Sequence, residues 1–211
     1  METLNHIVGL EPFLEILLAI SLSVATGFRV FVPLAVLSAA AVYGQLDYPT
    51  EFDWIESPQA LIVLSIACLL EIGGYYIPWF DNALDTLSTP AAVLAGTIVA
   101  ASVTPDLNPI AQWTLALVAG GGTAGLTKGL TAILRGTSTA ASGGLTNPIL
   151  ATIELVVAVG LSVLAIAVPV LAGLLVIGIL VFAILKLRQF FAKEQPFAKE
   201  QPTQPDETAS T

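Results

Sequence analysis

The chain has 211 residues, of which 55% are hydrophobic and only 11% are charged, and its formal net charge is −9. Soluble domains carry about 25% charged residues, so this composition, with a mean hydropathy of +0.86, excludes an ordinary soluble enzyme and predicts a membrane protein. Seven basic against 16 acidic residues leave no basic surface for nucleic acid, and one cysteine, Cys68, with one histidine, His6, provides neither an internal disulfide nor a metal-binding cluster.

Five apolar stretches are candidates for membrane helices, because a crossing needs roughly 20 apolar residues. They cover residues 13–43, 58–77, 83–103, 110–134 and 148–187. The first stretch would be about 46 Å long as a single helix. It contains Gly27, Arg29 and Pro33 near its centre, so we expect a break there.

The last apolar stretch is interrupted by Pro169 near its middle. Proline removes a helix hydrogen bond and clashes with the preceding turn. We predict two helices here, Asn147–Ala167 and 170–191, with one kinked and strongly tilted helix as the alternative. The sequence therefore predicts an all-α polytopic membrane protein of about six segments, which form a helical domain over residues 1–190.

Charged residues outside the apolar stretches set the expected orientation. Basic residues after the last segment place the C-terminus in the cytoplasm by the positive-inside rule; these are Lys186, Arg188, Lys193 and Lys199. Six crossings then place the N-terminus there too, with the acidic loop 45–57 and the loop 104–109 on the far side. Arg135, at the end of the fourth segment, is expected to extend to the lipid headgroups on the cytoplasmic side.

Residues 191–211 have a polar, Pro- and Gln-rich composition with the hexapeptide FAKEQP in tandem. Such a segment buries too little apolar area to offset the entropy lost on ordering. We therefore predict a disordered, solubilising cytoplasmic tail.

The two halves of the helical domain contain similar landmarks in the same order. These are Gly27 in ATGFR, Glu71 and Pro90 in the first half, and Gly125 in TAGLTK, Glu154 and Pro169 in the second. The order predicts two three-helix repeats, about 13–103 and 110–190, inverted in the membrane and with broken helices, as in many secondary transporters. The alternative is that Gly, Ala and Thr recur because small residues allow membrane helices to pack closely.

Four charged residues lie inside the predicted segments, where each costs roughly 2.5–3.5 kcal/mol on insertion scales. They are Arg29, Glu71, Lys128 and Glu154. Because the basic residues follow the glycine motifs and the acidic residues lie in the next segments, we expect ion pairs between the two halves. Such pairs are either structural pins or the lining of a substrate or ion pathway near the midplane, to which Gly27 and Gly125 would also belong.

Two further stretches are informative. The three glycines at 120–122 either unwind a helix or form a close-packed seam. Asp81 is placed to cap the third segment, and Asp85 to face the positive end of its dipole. The aromatic residues that precede this segment suit the membrane–water interface: Tyr75, Tyr76 and Trp79.

These patterns resemble the uncharacterised integral-membrane family called domain of unknown function 4126, over about residues 14–185. Its pattern E-x-x-A-D-K-x-P-x-x-D is matched by Glu71, Pro78, Asp81 and Asp85, and its K-x-x-x-R, polar and E-D patterns are similar at Lys128, Asn147 and Glu154. The departures are Tyr75 and Tyr76, in place of the family's usual Asp and Lys, and Leu155, in place of a frequent Asp.

The resemblance implies a helical protein of a bacterial inner membrane, or of a plasma or thylakoid membrane in cyanobacteria. It implies no established activity. It adds Asp81, Asp85 and Asn147 as secondary site candidates. Loss of the family's Asp and Lys at 75 and 76 would alter this copy's function if those residues carry ions or protons in relatives.

We predict a small secondary transporter or permease of an unidentified solute or ion. The alternative is a non-transporting membrane scaffold or assembly factor for a larger complex. An enzyme is not expected, because HExxH, GxSxG and paired aspartates at membrane depth are absent from the sequence. No cofactor or metal is expected; the expected partners are the lipid bilayer, a small solute or ion and a second copy of the chain.

Overall fold

A computed structural model describes residues 10–44, 50–104 and 108–193. These residues form eight α-helices, with no strand among them. The helices are α1 (Leu10–Phe28), α2 (Phe31–Val42), α3 (Pro58–Gly74), α4 (Pro78–Ser102), α5 (Pro109–Leu115), α6 (Gly122–Ser142), α7 (Asn147–Ala167) and α8 (Pro169–Lys193). A 3₁₀-helix, Thr50–Glu56, precedes α3, and a π-helical segment, Ala116–Gly121, joins α5 to α6. The all-α prediction is confirmed for this part of the chain.

Several helices begin where proline and a polar cap define the first turn. Ser57 precedes α3 and its hydroxyl accepts the N–H of Ala60 at 3.1 Å. Asn108 precedes α5 and its side chain accepts the N–H of Ala111 at 3.0 Å. In both cases proline follows the cap, at a position where its missing N–H has no helical partner to lose.

Pro169 separates two helices, as predicted. α7 ends at Ala167, and Val168 has an extended backbone with φ −144° and ψ 76°. α8 then begins at Pro169 and continues to Lys193. The single-helix alternative for this stretch is therefore wrong.

The first apolar stretch breaks at Arg29–Val30, and the chain there reverses direction. α1 is antiparallel to α4, because the Ser23 hydroxyl donates to the Gly96 carbonyl at 3.1 Å while Ile16 and Thr104 line one small cavity. α3 is also antiparallel to α4, because the two helices are joined by the short turn at 75–77, and Gly74 packs on Leu84.

α2 runs antiparallel to α3, and so it returns toward the end at which α1 begins. The amides at the start of α2 contact Glu71 near the end of α3, whereas Ser38 near the end of α2 donates to Ile55, before α3 begins. α2 is also only about 18 Å long, too short for a crossing of about 30 Å. The stretch 13–43 therefore forms two helices that run in opposite directions, while the number of crossings and the cytoplasmic N-terminus stay predictions.

Glycines form a close-packed seam where α1, α4 and the segment from the π-helix into α6 meet. A Cβ added to Gly120 would lie 2.5 Å from both the Ala100 Cβ and the Gly96 carbonyl oxygen. A Cβ on Gly96 would lie 2.5 Å from the Ala124 Cβ. Gly120 and Gly121, unlike Gly122, thus serve close packing, within a π-helical turn that leaves the chain helical from Pro109 to Ser142.

The second glycine motif, 123–128, lies inside the unbroken α6. The prediction of broken helices at matching positions is therefore wrong for the second half: only the first motif is followed by a break. The difference has a physical cause, since Glu71 supplies hydrogen-bond acceptors to the amides at the first break.

Compared with a soluble domain, this chain buries more charged side chains and exposes more large apolar side chains. Charged residues such as Arg29, Lys128 and Arg135 are buried, while many large apolar side chains are exposed. The exposed set includes Ile62, Leu69, Leu70, Leu87, Leu94, Leu126, Ile133, Val156 and Val163. Two helical stretches, Ala83–Ser102 and Asn147–Ala167, are long and apolar enough to cross a membrane.

The chain divides into two compact units, Met1–Val176 and Ile177–Thr211. The first unit contains the helices up to the early turns of α8. The described part of the second unit, 177–193, is helical. The disordered tail was predicted for residues 191–211. Its first three residues, 191–193, belong to α8, and residues 194–211 lie outside the described part of the chain.

Substituting Gly120 by alanine tests the seam. We expect Gly120→Ala to destabilise the protein by about 1–3 kcal/mol, because overpacking forces the α4 backbone away. The matched control is Gly122→Ala, where a Cβ would meet nothing within 4 Å and where alanine is the better helix former. Thermal unfolding of the detergent-purified variants, followed by circular dichroism, measures both; equal stability of the two would contradict the seam.

Candidate functional site

Arg135 is the centre of a buried group of ion pairs. Its Nη1 donates to Asp81 at 2.5 Å, its Nε donates to Glu154 at 3.1 Å, and its Nη2 donates to the second oxygen of Glu154. A carboxylate oxygen of Asp85 lies 3.7 Å from Nε. Arg135 is only 2% exposed, so the prediction that it extends to lipid headgroups is wrong: three carboxylates hold it inside.

Lys128, two turns before Arg135 on α6, pairs with α4 rather than with Glu71. Its Nζ donates to Asp85 at 2.9 Å and to the Tyr75 hydroxyl at 3.0 Å. The Tyr75 hydroxyl in turn donates to Asp85 at 3.2 Å and lies 3.1 Å from the Ser88 hydroxyl. Lys128 is 1% exposed, and these contacts explain how its ammonium group is accommodated.

Three cationic side chains surround the aromatic ring of Tyr75. The guanidinium carbons of Arg29 and Arg135 lie 3.8 Å and 4.5 Å from the ring centroid, and the Lys128 Nζ lies 5.4 Å from it. All three distances are within the range of cation–π attraction, which is stronger away from water. With 2% of its surface exposed, Tyr75 is not an interfacial residue, contrary to the prediction; Tyr76 is exposed and its hydroxyl meets Thr152 at 2.9 Å.

Arg29 joins the group from the turn between α1 and α2. Its Nη2 donates to the Ala151 carbonyl at 2.7 Å and lies 3.8 Å from Glu154, which is the expected pair between the two halves. Within the described part of the chain, its Nε and Nη1 have no hydrogen-bond partner. The Tyr75 ring at 3.8 Å adds a cation–π attraction for this guanidinium.

Glu71 accepts hydrogen bonds from the backbone at the break between α1 and α2, rather than from a basic side chain. Its two carboxylate oxygens accept the N–H groups of Val30 and Phe31 at 2.8 Å and 3.0 Å. These amides are the first of α2 and have no partner within that helix. A carboxylate there also faces the positive end of the helix dipole, so Glu71 stabilises the turn that places Arg29.

Asp81 and Asn147 connect the starts of α4 and α7. The Asn147 side chain donates to Asp81 at 3.0 Å, and its oxygen accepts the Ser138 hydroxyl at 2.8 Å. α4 begins at Pro78, so Asp81 lies inside its first turn. The prediction that Asp81 caps this helix is wrong, because Arg135 and Asn147 occupy its oxygens.

The described charges of this group balance. We call Arg29, Lys128, Arg135, Asp81, Asp85, Glu154 and the ring of Tyr75 the charged cluster. Its three basic and three acidic side chains are linked by the ion pairs above. Among the residues described, no set of three or more His, Cys, Asp and Glu side chains is arranged to hold a metal ion.

The charged cluster lies toward one end of the bundle, which we call the site end: α3 ends there, and α4 and α7 begin there. Asp85 and Glu154 each lie about two turns, or about 10 Å, from the start of their helices. The middle of a 30 Å crossing would lie about 15 Å in. The midplane position stays a prediction, because it depends on where the bilayer lies along these helices.

Gly27 and Gly125 are not among the residues that line the described cavities. A Cβ on Gly27 would lie 2.5 Å from the Thr127 Cβ and 2.6 Å from the Ala124 carbonyl oxygen. A Cβ on Gly125 would lie 3.0 Å from Val93. The two glycine motifs pack on one another, and their glycines serve helix packing.

Two of the cavities lined by described residues reach the charged cluster. The first, which we call the vestibule, has a volume of about 190 Å³ at the site end; its lining includes Tyr75, Tyr76, Asp81, Thr139, Asn147 and Pro148. The second, which we call the groove, has a volume of about 460 Å³ between α3 and α4; its lining includes Phe31, Leu70, Glu71, Tyr75, Phe80 and Leu87. The vestibule offers polar groups, whereas the groove is almost wholly apolar.

Two central residues of the site, Arg135 and Tyr75, were not among the predicted site residues. Arg135 shares a face of α6 with Lys128, because residues seven apart lie two turns from each other. That spacing is the one signal that could have included it. For Tyr75 the sequence gives no comparable signal, since an aromatic residue before a proline turn also suits an interface.

Comparison with known families identifies the chain. The model of a family described as Domain of unknown function (DUF4126) matches residues 16–189. The match covers most of the chain, which therefore belongs to this family, as the residues around Glu71 and Lys128 indicated. No curated protein and no solved structure matches significantly.

Neutralising Arg135 tests the cluster's contribution to stability. We expect Arg135→Gln to reduce the free energy of unfolding by about 3–5 kcal/mol, because it leaves buried carboxylates without their partner. Tyr76→Phe is the control: it removes only an exposed hydroxyl contact and should cost less than about 0.5 kcal/mol. Denaturant titration of the purified proteins measures both, and a Gln variant as stable as the parent would show that the ion pairs do not form.

Proposed function

We propose that this member of the DUF4126 family is an integral membrane protein that acts as a small permease, with the charged cluster as the site that its solute or ion meets. The observation that carries this proposal is a cavity, the vestibule, that leads from the site end to buried ion pairs. Asp81 and Asn147 line it, and both contact the cluster's centre.

The distribution of side chains supports a location in the bilayer. Exposed leucine, isoleucine and valine side chains cover the outer faces of α3, α4, α6 and α7. A soluble monomer rarely exposes so much contiguous apolar surface. Two helical stretches satisfy the length and composition of a crossing, and the shorter apolar helices α2 and α3 pack beside them.

The energetic cost of the charged cluster supports a functional role. Ionisable side chains inside a membrane protein are expensive, and they commonly mark solute or proton pathways. A buried ion-pair network can often be replaced by apolar residues without loss of stability. Three basic and three acidic residues beside a polar cavity are therefore better explained by a ligand than by stability alone.

One observation favours the alternative, a non-transporting scaffold. The cluster is neutral, and its carboxylates already have hydrogen-bond donors within the protein. A fully paired network can hold helices in register with no solute. The two hypotheses differ in whether the cluster exchanges partners with a molecule from outside.

Flux through reconstituted protein distinguishes them. In proteoliposomes tested by solid-supported membrane electrophysiology and tracer uptake against gradients of H⁺, Na⁺, K⁺, Cl⁻, phosphate and small amines, we expect movement of at least one species. Asp81→Asn should lower that movement about tenfold or more, equivalent to about 1.4 kcal/mol or more of barrier, because it removes the charged acceptor in the vestibule.

Asp53→Asn is the matched control, because it makes the same change at an exposed aspartate of the 3₁₀-helix and should leave flux unchanged. Both variants are compared at equal, monodisperse recovery. If the parent protein moves none of these species and co-purifies with a stable protein partner, the permease hypothesis is wrong and the scaffold hypothesis takes its place.

A further inference from the structure

Among the residues that line the vestibule and the groove, Tyr75 is the one that belongs to both. Tyr76 lines only the vestibule, and Phe80 lines only the groove. The Tyr75 ring is held by Arg29 at 3.8 Å and Arg135 at 4.5 Å, and its hydroxyl by Lys128 at 3.0 Å. A ring fixed at both its face and its hydroxyl is a stable partition.

The groove opens sideways rather than toward the far end of the bundle. Its rim includes Leu70, Leu87 and Phe80, which are more than half exposed and continue the apolar outer faces of α3 and α4. Toward the other end, the described cavity beside Ile16 and Thr104 has a volume of only about 10 Å³, room for about one water molecule. The larger of these two cavities, the groove, therefore opens at the side of the bundle, between α3 and α4.

We propose that Tyr75 is the barrier between the polar vestibule and a groove that holds an acyl chain of a membrane lipid. The proposal depends on the location in the bilayer proposed above. A lipid chain fits the groove because its lining is mostly apolar and its polar members are already engaged: Glu71 accepts two backbone amides, and the Ser88 hydroxyl lies 3.1 Å from the Tyr75 hydroxyl.

The route past Tyr75 then leads from water at the site end into the bilayer. The solute class that such a route fits is a small amphiphile, with one polar end for Asp81 and Asn147 and an apolar remainder for the groove. An inorganic ion has no comparable partner in the groove, since the groove is nearly without polar surface.

Collision accessibility of a spin label in the groove tests the barrier. The label is placed at Ala91→Cys, which lines the groove, in a Cys68→Ser background that removes the chain's single cysteine. With Tyr75 intact, in lipid nanodiscs, we expect high accessibility to oxygen, which partitions into lipid, and low accessibility to the water-soluble complex NiEDDA. Tyr75→Ala should raise the NiEDDA accessibility severalfold.

Two aromatic controls isolate the partition. Tyr76→Ala enlarges only the vestibule and Phe80→Ala only the groove, so neither should raise NiEDDA accessibility. If Tyr75→Ala does not fold, Tyr75→Leu, which keeps an apolar side chain but shortens it, should give a smaller rise in the same direction. Circular dichroism and monodisperse elution establish folding.

Three outcomes would overturn the proposal: NiEDDA access in the parent, which would make the groove a water-filled space; no change in either folded Tyr75 variant; and exclusion of both reagents, which would mean that a protein surface covers the groove. Flux is not part of the readout. A barrier at Tyr75 can therefore be established in a protein that transports none of the ions tested, and a permease can be established without it.

Discussion

A guanidinium group buried in an apolar bundle must be surrounded by acceptors, and Arg135 meets this requirement with Asp81, Asp85 and Glu154. The carboxylates come from the first two turns of α4 and α7, so the part of α6 that carries Arg135 lies beside the starts of both helices. Leaving any of these charges unpaired would cost several kcal/mol. The pairing therefore fixes the relative positions of three helices at the site end.

The same requirement shapes the turn between α1 and α2. Two helix-start amides would be left without partners inside the bundle, and Glu71 accepts both. With the turn stabilised, Arg29 reaches α7 and the ring of Tyr75. The small residues of the seam then let α1, α4 and α6 approach closely enough for side chains from these elements to meet. Charge pairing and close packing therefore depend on each other. The charged side chains meet because the helices pack closely, and the helices can pack closely because the charges between them are paired.

Much of the fold follows from local chemistry that can be read in the sequence. Proline ends or kinks a helix, so Pro169 indicates a helix boundary, and Arg29, two residues after Gly27 in a long apolar stretch, indicates a break. The direction of the chain after that break could not be read, because it depends on Glu71, 40 residues or more away in the chain. Composition likewise indicates an apolar exterior, but not which helices are long enough to cross.

The site was only partly predictable for a related reason. Arg29, Lys128 and Glu154 are charges inside apolar stretches, and such charges stand out in a sequence. Arg135 lies close to the end of its apolar stretch, and whether it extends outward or inward depends on where the carboxylates of α4 and α7 lie. Tyr75 is a still clearer case, since its ring is surrounded by three cations that come from two distant parts of the chain, the turn between α1 and α2 and the helix α6.

The most direct test of the cluster is solid-state NMR of ¹⁵N-arginine, ¹³C-labelled protein in lipid bilayers, with Arg135→Lys to assign the signal. The account predicts that the Arg135 guanidinium gives cross-peaks to the carboxylate carbons of both Asp81 and Glu154, with an Nε–H proton that exchanges slowly with water. A fast-exchanging guanidinium signal without carboxylate cross-peaks would contradict it, because Arg135 would then lie in water or among headgroups.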